Sequence, residues 1–152
     1  MSMAGFLWPY LREFGLAFIA TLGFGLLFNV PRRTLFACSV TGGVGRMVRL
    51  LAVTLGASLV GGSYLGALAV ALMGYALARL YRTPRVTFTV TGVIAMVPGV
   101  PAFGTMLEFA AGNIDGGLTN AVETMLIGGA LAMGLTTVRV ISRIPTSSPD
   151  GF

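Results

Sequence analysis

The chain contains no histidine and no lysine, one cysteine and few acidic residues. Without histidine, no Ser-His or Cys-His catalytic pair can form. With Cys38 alone, a disulfide within the chain is impossible and a His/Cys metal site is nearly excluded. Cys38 reads as a small packing residue. Charged residues make up only 10% of the 152 positions, against about 25% in soluble domains. Too little polar surface remains to cover a water-facing domain. No enzyme constellation is visible and no cofactor is expected. The net charge of +5 does not describe a nucleic-acid binder, because the arginines sit at the ends of apolar runs. A cleavable signal peptide is not expected either: the first apolar run follows Arg12-Glu13, with no small-x-small site ahead of a soluble domain.

What the chain does have is apolar length. It is 55% hydrophobic, with mean hydropathy +0.88, and its 22 glycines lie inside apolar runs, where small residues let membrane helices approach closely. The expected fold is all-α: a polytopic membrane helix bundle of about five transmembrane helices, one of them broken by proline. Residues 1–143 form a single transmembrane domain, and 144–152 read as a short flexible tail.

The first segment runs from about Phe14, or as early as Phe6, to Phe28. Ala17, Thr21 and Gly25 recur on it as a small-residue stripe, and Asn29-Val30-Pro31-Arg32-Arg33 ends it. The second, Thr34 to Ser58, is ambiguous. Ser39, Gly42, Arg46 and Arg49 share one helical face; Phe36, Val40, Val44, Met47 and Leu51 share the other. Such a helix can lie on the membrane surface with its arginines toward phosphates, or cross inside a bundle with them facing a polar cavity. About 25 residues at ~1.5 Å each suffice for ~30 Å of hydrocarbon, and crossing is favoured. The third, Gly62 to Leu80, carries a row of Gly62, Gly66, Gly74 and Ala78. The row suits internal helix packing better than homodimerisation. The fourth, Val86 to Ala111, contains Val97-Pro98-Gly99-Val100-Pro101 near its middle. A polar turn from Gly112 to Gly117 leads to the fifth, about Leu118 to Val140. Arg32/Arg33, Arg79/Arg82/Arg85 and Arg139/Arg143 then fall on one side, the cytoplasmic one by the positive-inside rule, which puts the C-terminus inside. A surface-lying second segment would leave one arginine cluster on the wrong side.

Intramembrane ionisable residues are costly and carry the functional expectations. Arg46 and Arg49 suit a substrate carboxylate, which guanidinium grips in bidentate fashion; the alternative is snorkelling to lipid phosphate. Pro98, Gly99 and Pro101 interrupt a helix where no water replaces the lost backbone bonds. Such breaks survive in protein-lined cavities, and transporters use them to hold substrates. A simple packing kink is the alternative. The break would offer carbonyls on one side and helix N-terminal amides on the other. Glu108 and Glu123 are candidate coupling carboxylates, able to carry a proton if buried. Glu108 has the outer interface as its alternative. For Glu123 the Asn120-Ala121-Val122-Glu123 spacing favours a helix cap. Thr41-Gly42-Gly43-Val44-Gly45-Arg46 matches neither nucleotide-binding glycine pattern.

Phe28-Asn29-Val30-Pro31-Arg32-Arg33, Thr41-Gly42-Gly43-Val44-Gly45-Arg46 and Val97-Pro98-Gly99-Val100-Pro101 together resemble the small membrane subunit of the threonine/serine exporter family. The resemblance covers about residues 5–143. It implies one half of a two-component exporter, working with a larger membrane partner. Some members of the family join both halves in a single chain with twice as many membrane segments. The single chain exports threonine and serine, and split pairs are associated with succinate. Both are taken to be secondary transporters driven by ion or proton gradients. One departure stands out: Thr91 and Ala95 occupy places where the family often has further prolines, so the upstream half of the break should be more regularly helical. The expected function is export of small carboxylate metabolites across the inner membrane by rocking of two halves. Two alternatives remain, a non-transporting assembly subunit and a small homo-oligomeric channel.

Overall fold

In the computed structural model, which describes residues 3–142 with side chains from Trp8 onward, the chain forms six helices: α1 Met3–Leu27, α2 Arg32–Thr54, α3 Leu59–Tyr81, α4 Arg85–Ile94, α5 Gly99–Ala110 and α6 Ile114–Ile141. No strand occurs among the described residues. Arg143 and the expected tail lie outside them. Four helices, α1, α2, α3 and α6, are long and apolar enough to cross a membrane. The pair α4 and α5, bent by 50° at the break, makes a fifth. The all-α membrane bundle expected from composition is therefore what the chain forms.

Proline sets several of these boundaries. Pro31, Pro84 and Pro98 each stand immediately before a helix, where a fixed φ and a missing amide cost least. Asn29 (φ 54°) and Arg82 (φ 50°) reverse the chain at one end of the bundle; Gly56 (φ 98°) and Gly112 (φ 79°) do so at the other. Antiparallel threading thus gathers the clusters at Arg32/Arg33, at Arg79/Arg82/Arg85 and at Arg139 at one end of the bundle.

The second segment is the centre of the structure. α2 packs against α1, α3 and α4, a placement that a surface-lying helix does not have. Its two faces divide as the spacing predicts: Ser39, Gly42 and Arg49 are buried, while Phe36, Met47 and Leu51 are exposed. The α1 stripe of Ala17, Thr21 and Gly25 is buried and meets α2, where Thr21 lies over Gly42 and Leu35 over Gly25. The α3 row is likewise internal. Gly62 and Gly66 abut the α2 backbone at Arg49 and Gly45, and Gly74 abuts Phe88 and Thr89 of α4. The row is consumed by contacts within the chain, which leaves none of it for a homodimer. Cys38, fully buried with Ala37, Ala78 and Phe88, packs as expected.

Two expectations at the start of α6 are corrected. The helix begins at Ile114, so Ile114–Gly117 is helical rather than turn. Its cap is Asn113, whose side chain accepts from the Gly116 amide at 3.2 Å. Glu123 is consequently more than two turns inside the helix and does not cap it. Either asparagine, Asn113 or Asn120, suits a helix start, and the short α5–α6 turn closed by Gly112 selects the earlier one.

Candidate functional site

The break turns inward at one residue: Met96 is buried, while Val97, Gly99 and Val100 around it are exposed. α4 runs regularly to Ile94, as Thr91 and Ala95 in place of proline allow, and the chain then turns through Ala95–Pro98 into α5. The two halves pack on different partners. α4 lies against α2 and α3, whereas α5 packs on α6. Between them Met96 is fully buried in a cluster with Ala67, Val70, Ile127 and Leu131. Its side chain is anchored in that cluster, and its carbonyl is released from any helix.

Arg49 reaches that carbonyl. Its Nη1 donates to Met96 O at 3.0 Å. Arg49 is only 8% exposed, yet no carboxylate stands within ion-pair distance of it among the described residues. Its remaining guanidinium nitrogens make no hydrogen bond there either. A buried charge is normally paired. Here the one direct partner is a carbonyl dipole, with Arg46 as a like charge nearby and Glu123 and Glu13 within electrostatic range. The arrangement leaves several forked donors free beside a broken helix, the donor set that grips a carboxylate.

Arg46 sits one turn before Arg49 and turns toward α1. Its Nε donates to Glu13 Oε2 at 2.8 Å, and Arg12 approaches the other oxygen of Glu13 at 3.6 Å. Glu13 is the site residue that the sequence reading missed. A signal was available: Glu13 and Arg46 stand nearly equal distances from the α1–α2 turn, so an antiparallel hairpin brings them level. Because both side chains retain some exposure, Glu13→Gln and Arg46→Gln in a double-mutant cycle are expected to show a coupling of about 1 kcal/mol in thermal unfolding. Additive effects would mean that the pair does not hold α1 to α2.

The other expected site residues separate into near and far. Pro98 stands directly before α5 and Pro101 lies in its first turn, while Gly99 has open space where a side chain would go. The amides at this N-terminus are fewer than the sequence implies. Gly99 N–H already donates to Val97 O and Ala102 N–H to Pro98 O, and Pro101 has none. The break is therefore mainly a carbonyl and guanidinium site rather than an amide one. Glu123 lies one turn from Ile127, on the α6 face that carries Gly116 and Asn120 toward α5, and it makes no hydrogen bond or ion pair among the described residues. Glu108 is far from the break, about 15 Å along α5. It accepts from Asn113 Nδ2 at 2.7 Å and fastens the α5–α6 turn. The structure thus gathers Arg46, Arg49, Glu13, Glu123 and the break, and leaves Glu108 outside.

Among known families, the model described as Threonine/Serine exporter, ThrE, matches residues 13–141. That span runs from Glu13 to the end of α6 and contains every residue of the gathered site. No solved structure matches the chain.

Proposed function

Because this chain belongs to the threonine/serine exporter family, we propose that it is the small half of a secondary exporter, working with a larger membrane partner to move small carboxylate metabolites across the inner membrane. Succinate-like dicarboxylates, threonine and serine are the candidate substrates. The C-terminus and the arginine-rich end face the cytoplasm, following the positive-inside rule.

The observation that carries this reading is Arg49: a buried guanidinium held by one backbone carbonyl of a broken helix, with open donors and no paired carboxylate among the described residues. An exporter needs a site that pays little to bind an anion and little to release it. Met96 O holds the guanidinium in place between cycles, and a substrate carboxylate completes its coordination. Arg46, half-held by Glu13, offers a second cationic contact to a dicarboxylate. Pro98, Gly99 and Pro101 keep the helix open and let α4 and α5 move separately, since each packs on different helices. Glu123, within electrostatic reach of Arg49, is the better placed coupling carboxylate; Glu108 serves the turn.

The test is gradient-driven uptake of labelled succinate and threonine into inside-out vesicles carrying this chain, its larger partner, or both. Uptake is expected only with both chains and should collapse with an uncoupler. Equal uptake by this chain alone would replace the half-transporter with a homo-oligomeric carrier or channel. No uptake by any combination, with both chains shown to be inserted, would favour an assembly subunit.

A further inference from the structure

A cavity lies at the arginine-rich end, away from the break. It is a half-open pocket of about 510 Å³ lined by α3, α4 and α6. Tyr75 stands at its wall with one guanidinium packed near the ring at 4.6 Å (Arg79) and another at 4.3 Å (Arg85). Arg85 is further steadied by Ser142, whose Oγ accepts from Nη1 at 3.0 Å. Arg139, in the last turn of α6, lines the same cavity. None of the three arginines has an acidic partner among the described residues, and the Tyr75 hydroxyl has no hydrogen bond there. Two like charges are thus held on one aromatic ring with a third nearby, a concentration of forked donors that suits an oxyanion.

We propose that this cavity binds the headgroup of an anionic phospholipid. The shared chemistry is a phosphate oxyanion, and two features favour a lipid as its source. The cavity runs from the helix ends at Arg85 and Arg139 inward to Ala71, and basic pockets between membrane helices hold such headgroups. Its walls also divide in kind: Arg85 and Arg139 supply charge, while Val86 and Leu135 supply an apolar surface. A molecule with phosphate and hydrocarbon joined meets both, whereas a small free anion leaves the apolar wall uncovered.

Native mass spectrometry of the full chain, released from micelles doped with phosphatidylglycerol or with phosphatidylcholine, reads the binding directly. A retained phosphatidylglycerol adduct is expected, reduced about tenfold in the Arg85→Gln, Arg139→Gln double variant. It should be unchanged in the Arg32→Gln, Arg33→Gln variant, which removes equal charge at the same end but outside the cavity. Thermal unfolding in the same micelles confirms that each variant is folded. Equal retention of both lipids, equal loss in both double variants, or an adduct unaffected by the cavity substitutions would overturn the site. Displacement of the lipid by millimolar inorganic phosphate or succinate would reassign it to a soluble anion.

Discussion

Arg49→Gln is expected to lower transport per assembled complex by about a hundredfold, the scale on which a buried charged contact acts, while the chain still inserts and assembles. Glutamine can still donate to Met96 O, so the break keeps a local partner. What it lacks is the positive charge and the forked donors that a carboxylate needs. Arg49→Lys separates these two contributions. It restores the charge as a point and not as a fork, and is expected to fall between the wild type and the glutamine variant. The measurement is initial uptake into vesicles, normalised to the amount of complex recovered after solubilisation. If Arg49→Gln instead cuts the amount of complex and leaves transport per complex intact, the guanidinium serves assembly and the substrate site lies elsewhere. A neutral side chain at Arg46 should act less strongly, because Glu13 already engages it.

The second large effect is expected from Gly66→Val. A Cβ at Gly66 would stand 2.8 Å from Gly45 O, 2.8 Å from Met96 Sδ and 3.2 Å from Arg49 Cβ. The sulfur can shift, but the α2 backbone carbonyl cannot without moving the helix. A branched side chain therefore wedges α2 from α3 and disturbs the break that Met96 anchors. The expected cost is about 3 kcal/mol, seen as a lower unfolding temperature in detergent or as failure to accumulate in the membrane. Gly134 shows the same crowding against α3, with Tyr64 O at 2.7 Å. Gly128→Ala and Gly129→Ala are the controls. Nothing lies within 4 Å of either Cβ position, and alanine favours a helix by up to about 1 kcal/mol, so both should be neutral or stabilising. If Gly66→Val behaves like these controls, the close α2–α3 crossing is not what holds the site together.

The glycines show how far the sequence can be read. Gly62, Gly66 and Gly74 announce a contact face by spacing alone, because only small residues let two helices meet closely. Spacing does not reveal that α2 and α4 are the helices they meet. The same limit applies to the acidic residues. Glu108 and Glu123 both stand toward the outer end of an apolar segment, and spacing favoured Glu123 as the helix cap. The position of the α6 cap separates them: starting the helix at Ile114 carries Glu123 inward toward Ile127 and leaves Glu108 at the turn. Glu13 was hidden for the opposite reason. It precedes the first strongly apolar stretch, and only pairing with Arg46 across the hairpin shows that it belongs to the α1–α2 contact.

An all-α membrane bundle, a break next to Pro98 and arginine clusters that share one end could all be read from the chain. Those features follow from local chemistry: apolar length, proline's missing donor and the cost of charge in hydrocarbon act on each segment separately. Packing was needed to show that α2 is central, that among the described residues Arg46 is paired with a carboxylate and Arg49 is not, that Met96 O is the carbonyl at the break, and that Tyr75 gathers Arg79 and Arg85. Each of these joins residues far apart in the chain. They are settled by which helix faces meet, and that depends on the fit of small and large side chains across several helices at once.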